Sequence, residues 1–585
     1  MNNHKKILIF LMAAIAPFVV VQAQHRHKAK KKKTVARKTV TKKAVVADRV
    51  NTIRATDVVL SNDSIPPKEV TVTSVFKPSL RNAAKINFTA ATPVIDSTKI
   101  PLTYNIPSQN LFFSYQPVSI KPLELSIDTT FHWENDQYIK AGFGNYSTPY
   151  LETALAFGDG KKSIINLRGN YTSSKGNITF QEFTKAGVEG LGIFNSVNNE
   201  LTSRIYFNNS TQYRYPSSSI FPNVSKEDLQ QQFNQLGFEL GLQNKMPTDF
   251  GITYHPQIKL NSFFDNRSGS ELNFILKAPI NKALGKIFAL DLKFTADVTA
   301  LHTSAISSIN NNLFYIDPSV QFNTPNFKLN AGIRPSWDNS IFSMLPNVTI
   351  EAKLKDEHLV FQAGWIGYYN KNTYQSLAAF NPYIQQPTSL LNTKIMEQYA
   401  GFKGGAGKHV TFNARLSFLK INNQALFAND PAAVTVKNTQ SFIVLYEPQL
   451  QAIRLHGEIG YTLQEKLTFS SAVNYTQYTS QQLYDKPWGI LPLEVSGSVR
   501  YKVMKGLQLK SDIFFWDGAQ YRNQSLQSQK LAAAMDLNAG AEFSVLPHLN
   551  IWVQFNNLLN SKYQRWDQYE VLGFNVLGGV VYSFR

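Results

Sequence analysis

The rarest reactive side chains in these 585 residues are the histidines, and their spacing argues against metal or catalytic work. His302, His358, His409, His456 and His548 are scattered, with no His-x-x-x-His spacing and no carboxylate cluster beside them, so no ligand set for a metal emerges. None stands in a Ser and acid motif of the kind that activates a hydroxyl, lipid hydrolysis on an outer wall included. Cysteine is absent, which removes thiolate ligands, cysteine nucleophiles, disulfides and the lipid-bearing cysteine of a lipoprotein. No catalytic, cofactor-binding or metal-binding residue is expected, and the chain does not read as an enzyme.

What remains is charge at a spacing of two. Asp291, Lys293, Thr295 and Asp297 alternate with Leu290, Leu292, Phe294 and Val298, and Arg415 and Ser417 with Leu416 and Phe418. Gln508, Lys510 and Asp512 alternate with Leu507, Leu509 and Ile513; Asp536, Asn538 and Glu542 do so with Leu537, Ala539 and Phe543. Alternation with period two puts all the charge on one face of a strand and all the apolar surface on the other. If the apolar face meets lipid, these residues, together with Glu494 and Arg500, line a lumen. There they either solvate and cross-brace the wall or filter solutes and hold a plug.

The elements carrying this pattern begin after Gln137 and run for about 10 to 15 residues, long for a soluble sheet but suited to crossing a bilayer at a tilt. Alternation also accounts for an ordinary, slightly negative mean hydropathy in a chain without a further membrane-length apolar run. Working back from Arg585, short turns are expected at 546–548, 504–506, 464–466, 404–408, 355–358, 324–326, 281–286, 245–249, 197–200 and 159–162. Longer connections alternate with them at 371–390, 423–438, 480–489, 518–530 and 560–572. About ten turns and eleven loops require about 22 strands, an even number with both barrel ends on the short-turn side, which in bacterial barrels faces the periplasm. The fold class is thus all-β, a transmembrane antiparallel β-barrel over 136–585, and the location the outer membrane of a Gram-negative bacterium. Aromatics at strand ends (Tyr138, Tyr150, Tyr254, Trp337, Trp365, Tyr368, Trp516, Tyr582) are expected to form interfacial girdles.

Ahead of the barrel, Lys5 and Lys6, an apolar run over 7–21 and Val21-Gln22-Ala23 make a secretory signal over 1–23. Export follows. Of the net charge of +19, about +13 lies before residue 55, where 14 Lys and Arg face one Asp. A block of like charge such as Lys30 to Lys33 marks 24–64 as a solvated periplasmic tail, either simply flexible or bound to an anionic envelope surface or acidic partner, and no nucleic-acid partner is implied. Residues 65–135 are rich in proline and should be extended.

Two stretches resemble TonB-dependent receptors. The run Asn556-Asn557-Leu558-Leu559-Asn560-Ser561-Lys562-Tyr563 is similar to the penultimate-strand pattern of that family, and Gly573 to Phe584 to its closing strand. The resemblance implies that Tyr582 and Phe584 belong to the signal read by the barrel-assembly machinery, although Arg585 follows where an aromatic residue usually ends the chain. Glu69-Val70-Thr71-Val72-Thr73-Ser74 resembles the family's TonB box, an extended segment that adds as a strand to the energy-transducing partner TonB. The departure is between that segment and the barrel, where about 60 residues replace a much longer globular plug. Two functions follow: uptake or passage of a solute past a reduced plug, or a plugless accessory barrel within an export, assembly or surface-lipoprotein complex. The loop motifs Tyr369-Asn370-Lys371-Asn372-Thr373-Tyr374 and Phe380-Asn381-Pro382-Tyr383 have the aromatic and amide composition that stacks on sugars or chelates.

Overall fold

The structure, a computed structural model, describes residues 137–215, 225–354, 358–434, 441–464, 466–523 and 525–584. The expected signal, basic tail and Pro-rich segment, with Glu69, Val70, Thr71, Val72 and Thr73, lie outside the described residues.

The described chain is one closed antiparallel barrel. Each strand pairs with the next, and the first, Gln137–Gly144, pairs with the last, Asn575–Phe584, from Gln137 opposite Phe584 to Gly144 opposite Leu577. Ile252–Tyr254 and Gln257–Asp265 both pair with Ser270–Leu284 and form one wall strand, interrupted where Pro256 has no N–H to give the ladder. Counted so, 22 strands cross the wall. All ten expected short turns overlap observed ones of two to seven residues, and the strand at Phe183–Asn195 is present. On the opposite rim eight connections run from 6 to 27 residues, whereas 145–147, 266–269 and 339–340 are tight. The longest, 423–449, contains its own hairpin, Gln424–Asn429 with Phe442–Glu447, which a break in the periodic pattern did not announce.

The alternation sorts side chains as expected. Leu290 and Leu292 are 43 % and 47 % exposed on the outer wall while Asp291 between them is 5 % exposed on the inner one. Leu416 and Phe418 face out beside buried Arg415 and Ser417. An apolar band of this kind around the whole perimeter is far beyond what a soluble monomer presents to water, and it fits a lipid solvent.

Inside, the wall is braced by charge. Asp291 pairs with Lys293 at 3.0 Å, Asp317 with Arg334 at 2.5 Å, Glu351 with Lys403 at 2.6 Å and Asp512 with Arg500 at 2.9 Å. His456, the one histidine of the five noted above that sits in the interior of a strand, lies 2.9 Å from Glu458. His302, His358, His409 and His548 lie at strand ends or turns.

The outward orientation that a girdle requires is found for Trp337 and Tyr582 at strand ends and for Trp365 in mid-strand, and fails for four others. Tyr150, Tyr368 and Trp516 are buried on the lumen side, and Tyr138 donates inward to Glu152 at 2.6 Å. The reason is parity: being near a strand end says nothing about face, which a shift of one residue inverts.

Candidate functional site

The long connections on one rim do not stand away from the barrel. They converge across its mouth in a cap with an apolar core of its own. Phe233, Phe263 and Leu301, buried near the long-loop ends of three wall strands, form its floor. Over them lies the helix Tyr374–Phe380 from the connection 371–392. The loop 557–574 supplies Trp566, whose ring stands 5.4 to 5.6 Å from Phe380, Phe427 and Phe442, so one indole joins three loops. Tyr569 stacks on Tyr383 with centroids 3.5 Å apart and meets Tyr215 edge-on. Arg565 lies over the Trp566 ring at 4.3 Å and donates to the Gly489 carbonyl at 2.9 Å, bringing in a fifth loop after that of Tyr215.

Polar side chains fasten the cap to the wall. The carboxylate of Glu271, 2 % exposed, accepts from the Tyr374 and Gln375 backbone N–H groups at 2.5 and 3.2 Å. Thr373 takes the Ser376 N–H at 3.0 Å, and the Ser376 hydroxyl returns to the Thr373 backbone, a capping box. The first three N–H groups of the helix, which no carbonyl within it can satisfy, are thereby all used, two by the wall and one by the helix's own N-cap. Asp265 accepts from the Tyr374 hydroxyl at 2.7 Å and the Gln386 amide at 2.9 Å. Lys371 donates to the Asp297 and Asn311 carbonyls at 2.8 and 2.6 Å and pairs with the Asp297 carboxylate at 3.2 Å, and Asn392 donates to Asp338 at 2.7 Å. Four carboxylates from four wall strands thus hold one loop. A separate clasp joins the hairpin to its neighbour, where Glu447 accepts from the N–H groups of Gln482, Leu483 and Tyr484.

One sequence expectation changes here and another gains a partner. Tyr374 is fully buried and Phe380 and Tyr383 pack in the cap, so these three aromatics of the motifs offered as ligand-stacking surface belong to the cap's interior, while Tyr369 lies on the wall strand Leu359–Asn370 and bonds Ser343. Asp536, expected to face the lumen, does so, and accepts from Tyr563 at 2.5 Å, holding the family-like Asn-Leu-x-Asn-x-x-Tyr stretch against the wall. Tyr582 and Phe584 lie on the closing strand, stacked with centroids 5.9 Å apart. Among the described residues no cluster of His, Asp or Glu could hold a metal ion.

Two loop groups give the cap a pH dependence. Burial raises the pKa of Asp567, although Gln568 and Asn429 donate to its carboxylate. Burial lowers that of Lys371, against the pull of Asp297. For an acid with a raised native pKa the docked loop binds the proton more tightly than the free loop. Docking of 557–574 is therefore strongest at acid pH and weakens as pH rises from the ordinary Asp value through the raised one. For Lys371 docking instead strengthens as pH rises from its depressed native pKa toward the ordinary lysine value. Hydrogen-exchange protection of 557–574, corrected for intrinsic rates, is expected to fall as pH rises above the ordinary Asp value of about 4, and Asp567→Asn to flatten that fall. A profile unchanged by the substitution would refute the assignment.

The architecture can be compared with known structures. The FrpB iron transporter of Neisseria meningitidis (F3-3 variant) superposes with a TM-score of 0.59 at 11 % identity, over 77 % of this chain and 82 % of that one. The siderophore receptor PirA of Acinetobacter baumannii gives 0.59 at 10 % identity, over 77 % and 80 %. A mutant of the ferric enterobactin receptor PfeA from Pseudomonas aeruginosa gives 0.55 at 11 %, over 77 % and 80 %. The barrel has the fold of TonB-dependent iron and siderophore receptors. No family model and no curated protein matches the sequence. At such identity the likeness speaks to the barrel's architecture and carries over no ligand.

Proposed function

We propose that this chain is an outer-membrane barrel of the TonB-dependent-receptor type that admits a solute, with its long loops serving as an external gate. One observation carries the reading: the mouth over a charged lumen is closed by a loop fastened through side chains, Glu271 and Asp265 above all, and side-chain latches can let go without unfolding the wall. In this reading residues 1–23 are removed on export and 24–64 stay in the periplasm. Residues 65–135 act as a reduced plug, with Glu69 to Thr73 adding as a strand to TonB. Tyr582 and Phe584 serve the assembly machinery.

A second reading, an accessory barrel in an export, assembly or surface-lipoprotein complex, is favoured by the cap's interior. It is filled by its own aromatic side chains where a receptor would keep a concave site.

The two separate in planar bilayers and in native membranes. For the conduit, full-length protein is expected to conduct little, and protein with 372–391 replaced by a short Gly-Ser linker to open discrete channels. Channels that stay shut in both, together with a stoichiometric envelope partner on purification, would overturn the conduit in favour of the accessory subunit.

A further inference from the structure

The short-turn rim carries a feature that neither gating nor passage uses. Four consecutive turns, 159–162, 196–198, 245–251 and 285–287, form one arc. They are tied laterally: Asn195 N–H donates to the Lys162 carbonyl at 2.7 Å, Lys245 N–H to Asn198 at 2.9 Å and Ala283 N–H to Gly251 at 3.2 Å. On this arc Lys161, Lys162, Lys245, Lys282 and Lys286 are exposed, while the exposed acids of these turns are Asp159 and Asp249. Asp159 is engaged by its own turn, accepting from the N–H groups of Lys161, Lys162 and Ser163 at 2.7 to 3.0 Å.

Large apolar side chains share the same turns. Val197 is 90 % exposed and Phe250 78 %, with Met246, Leu284 and Ile287 also exposed. Interleaved lysine and apolar tips suit a surface that is anionic at one depth and greasy just below it, which describes a phospholipid headgroup layer.

Lys282 argues for lipid over a periplasmic protein. It stands on the outer wall between Ile280 and Leu284, both exposed on the same face. Its stem therefore lies along the lipid band and its ammonium must reach toward the nearest polar layer. Turns of three to seven residues keep the other lysines within a side chain's length of that layer.

We propose that this arc binds anionic phospholipid headgroups of the periplasmic leaflet, setting the barrel's depth and tilt on that side. The proposal rests on the short-turn rim facing the periplasm, and not on what the barrel transports.

The test is native mass spectrometry of delipidated full-length protein in neutral detergent, offered equal phosphatidylglycerol and phosphatidylethanolamine. Wild type is expected to retain phosphatidylglycerol preferentially. Changing Lys161, Lys162, Lys245, Lys282 and Lys286 to Gln should cut that preference at least about tenfold, and the same positions changed to Arg should keep it. A charge-matched variant on the long-loop side, with Lys175, Lys226, Lys486, Lys530 and Lys562 changed to Gln, should retain it. Should the rim variant not fold, wild type alone still decides, because the preference must collapse between about 0.05 and about 0.5 M salt. Equal retention of both lipids, a preference indifferent to salt, or its loss only in the long-loop variant would overturn the proposal. Each of these readouts is independent of conductance, so the arc and the conduit can fail separately.

Discussion

Changing Glu271 and Asp265 together to alanine is expected to release the loop 371–392 from the mouth while the barrel stays folded. Glu271 satisfies two backbone N–H groups at the start of the helix Tyr374–Phe380, and Asp265 satisfies the Tyr374 hydroxyl and the Gln386 amide. Orphaning a buried donor costs about 1–3 kcal/mol, and water entering the loosened site recovers part of it, so a net loss of roughly 3–4 kcal/mol should raise opening of the loop roughly 100- to 1000-fold. Hydrogen exchange over 372–391 and protease cleavage within it should rise by that factor. Retarded migration of the unheated protein on gels should not change, because the wall ladder is untouched. The single conservative change Glu271→Gln keeps one acceptor oxygen and should cost far less. If exchange in the double variant stays within a few-fold of wild type, the latch lies elsewhere and the gate reading loses its physical basis.

The same site marks the boundary of what the sequence discloses. Strands such as Phe288–His302 were legible because period-two alternation is local: Leu290, Leu292 and Phe294 declare one face without knowledge of any partner. Parity and closure followed from counting turns, and the ends do meet, Gln137 against Phe584. The cap was not legible. Glu271 reads as one more inward charge beside Leu272, and only the fold brings it to Tyr374, about a hundred residues on. Trp566 likewise gathers Phe380, Phe427 and Phe442 from two other loops, a constellation with no sequence period. The one local signal available was Thr373 three residues before Ser376, a start for a short helix that aromatic composition overshadowed. Girdle assignments such as Tyr150 and Trp516 missed for the complementary reason: composition locates an aromatic near a rim, and only register says which side it faces.

Register also predicts where the barrel is most fragile, the seam between its first and last strands. Gly142, Gly579 and Trp552 stand in one row across three neighbouring strands on the lumen face. The Trp552 ring reaches across the middle glycine and lies on Gly142, where a Cβ would come within 2.4 Å of it. Tyr150 packs edge-on against that ring at 5.4 Å and the Lys140 ammonium sits over it at 4.6 Å. An aromatic laid over cross-strand glycines shields backbone that no side chain of its own covers. A Cβ at Gly579 would fall 1.9 Å from the Ala141 carbonyl oxygen and 2.5 Å from the Gly142 Cα, both backbone of the first strand. Backbone in a closed ladder cannot step aside, so Gly579→Val is expected to prevent closure, a loss above about 4 kcal/mol. The folded fraction after refolding into detergent should fall more than about tenfold, while Trp552→Ala, which removes the cover but leaves the ladder, should close and lose roughly 3–5 kcal/mol. Tyr582 and Phe584 provide the contrast on the same strand. They point outward and stack on each other, so their alanine variants should refold in detergent nearly as wild type does. If they act as the assembly signal, their defect will appear only in cells, where the machinery must recognise the strand. A Gly579→Val protein that refolds as readily as the Tyr582 and Phe584 variants would show that the seam tolerates a side chain, and that closure is not what constrains this strand.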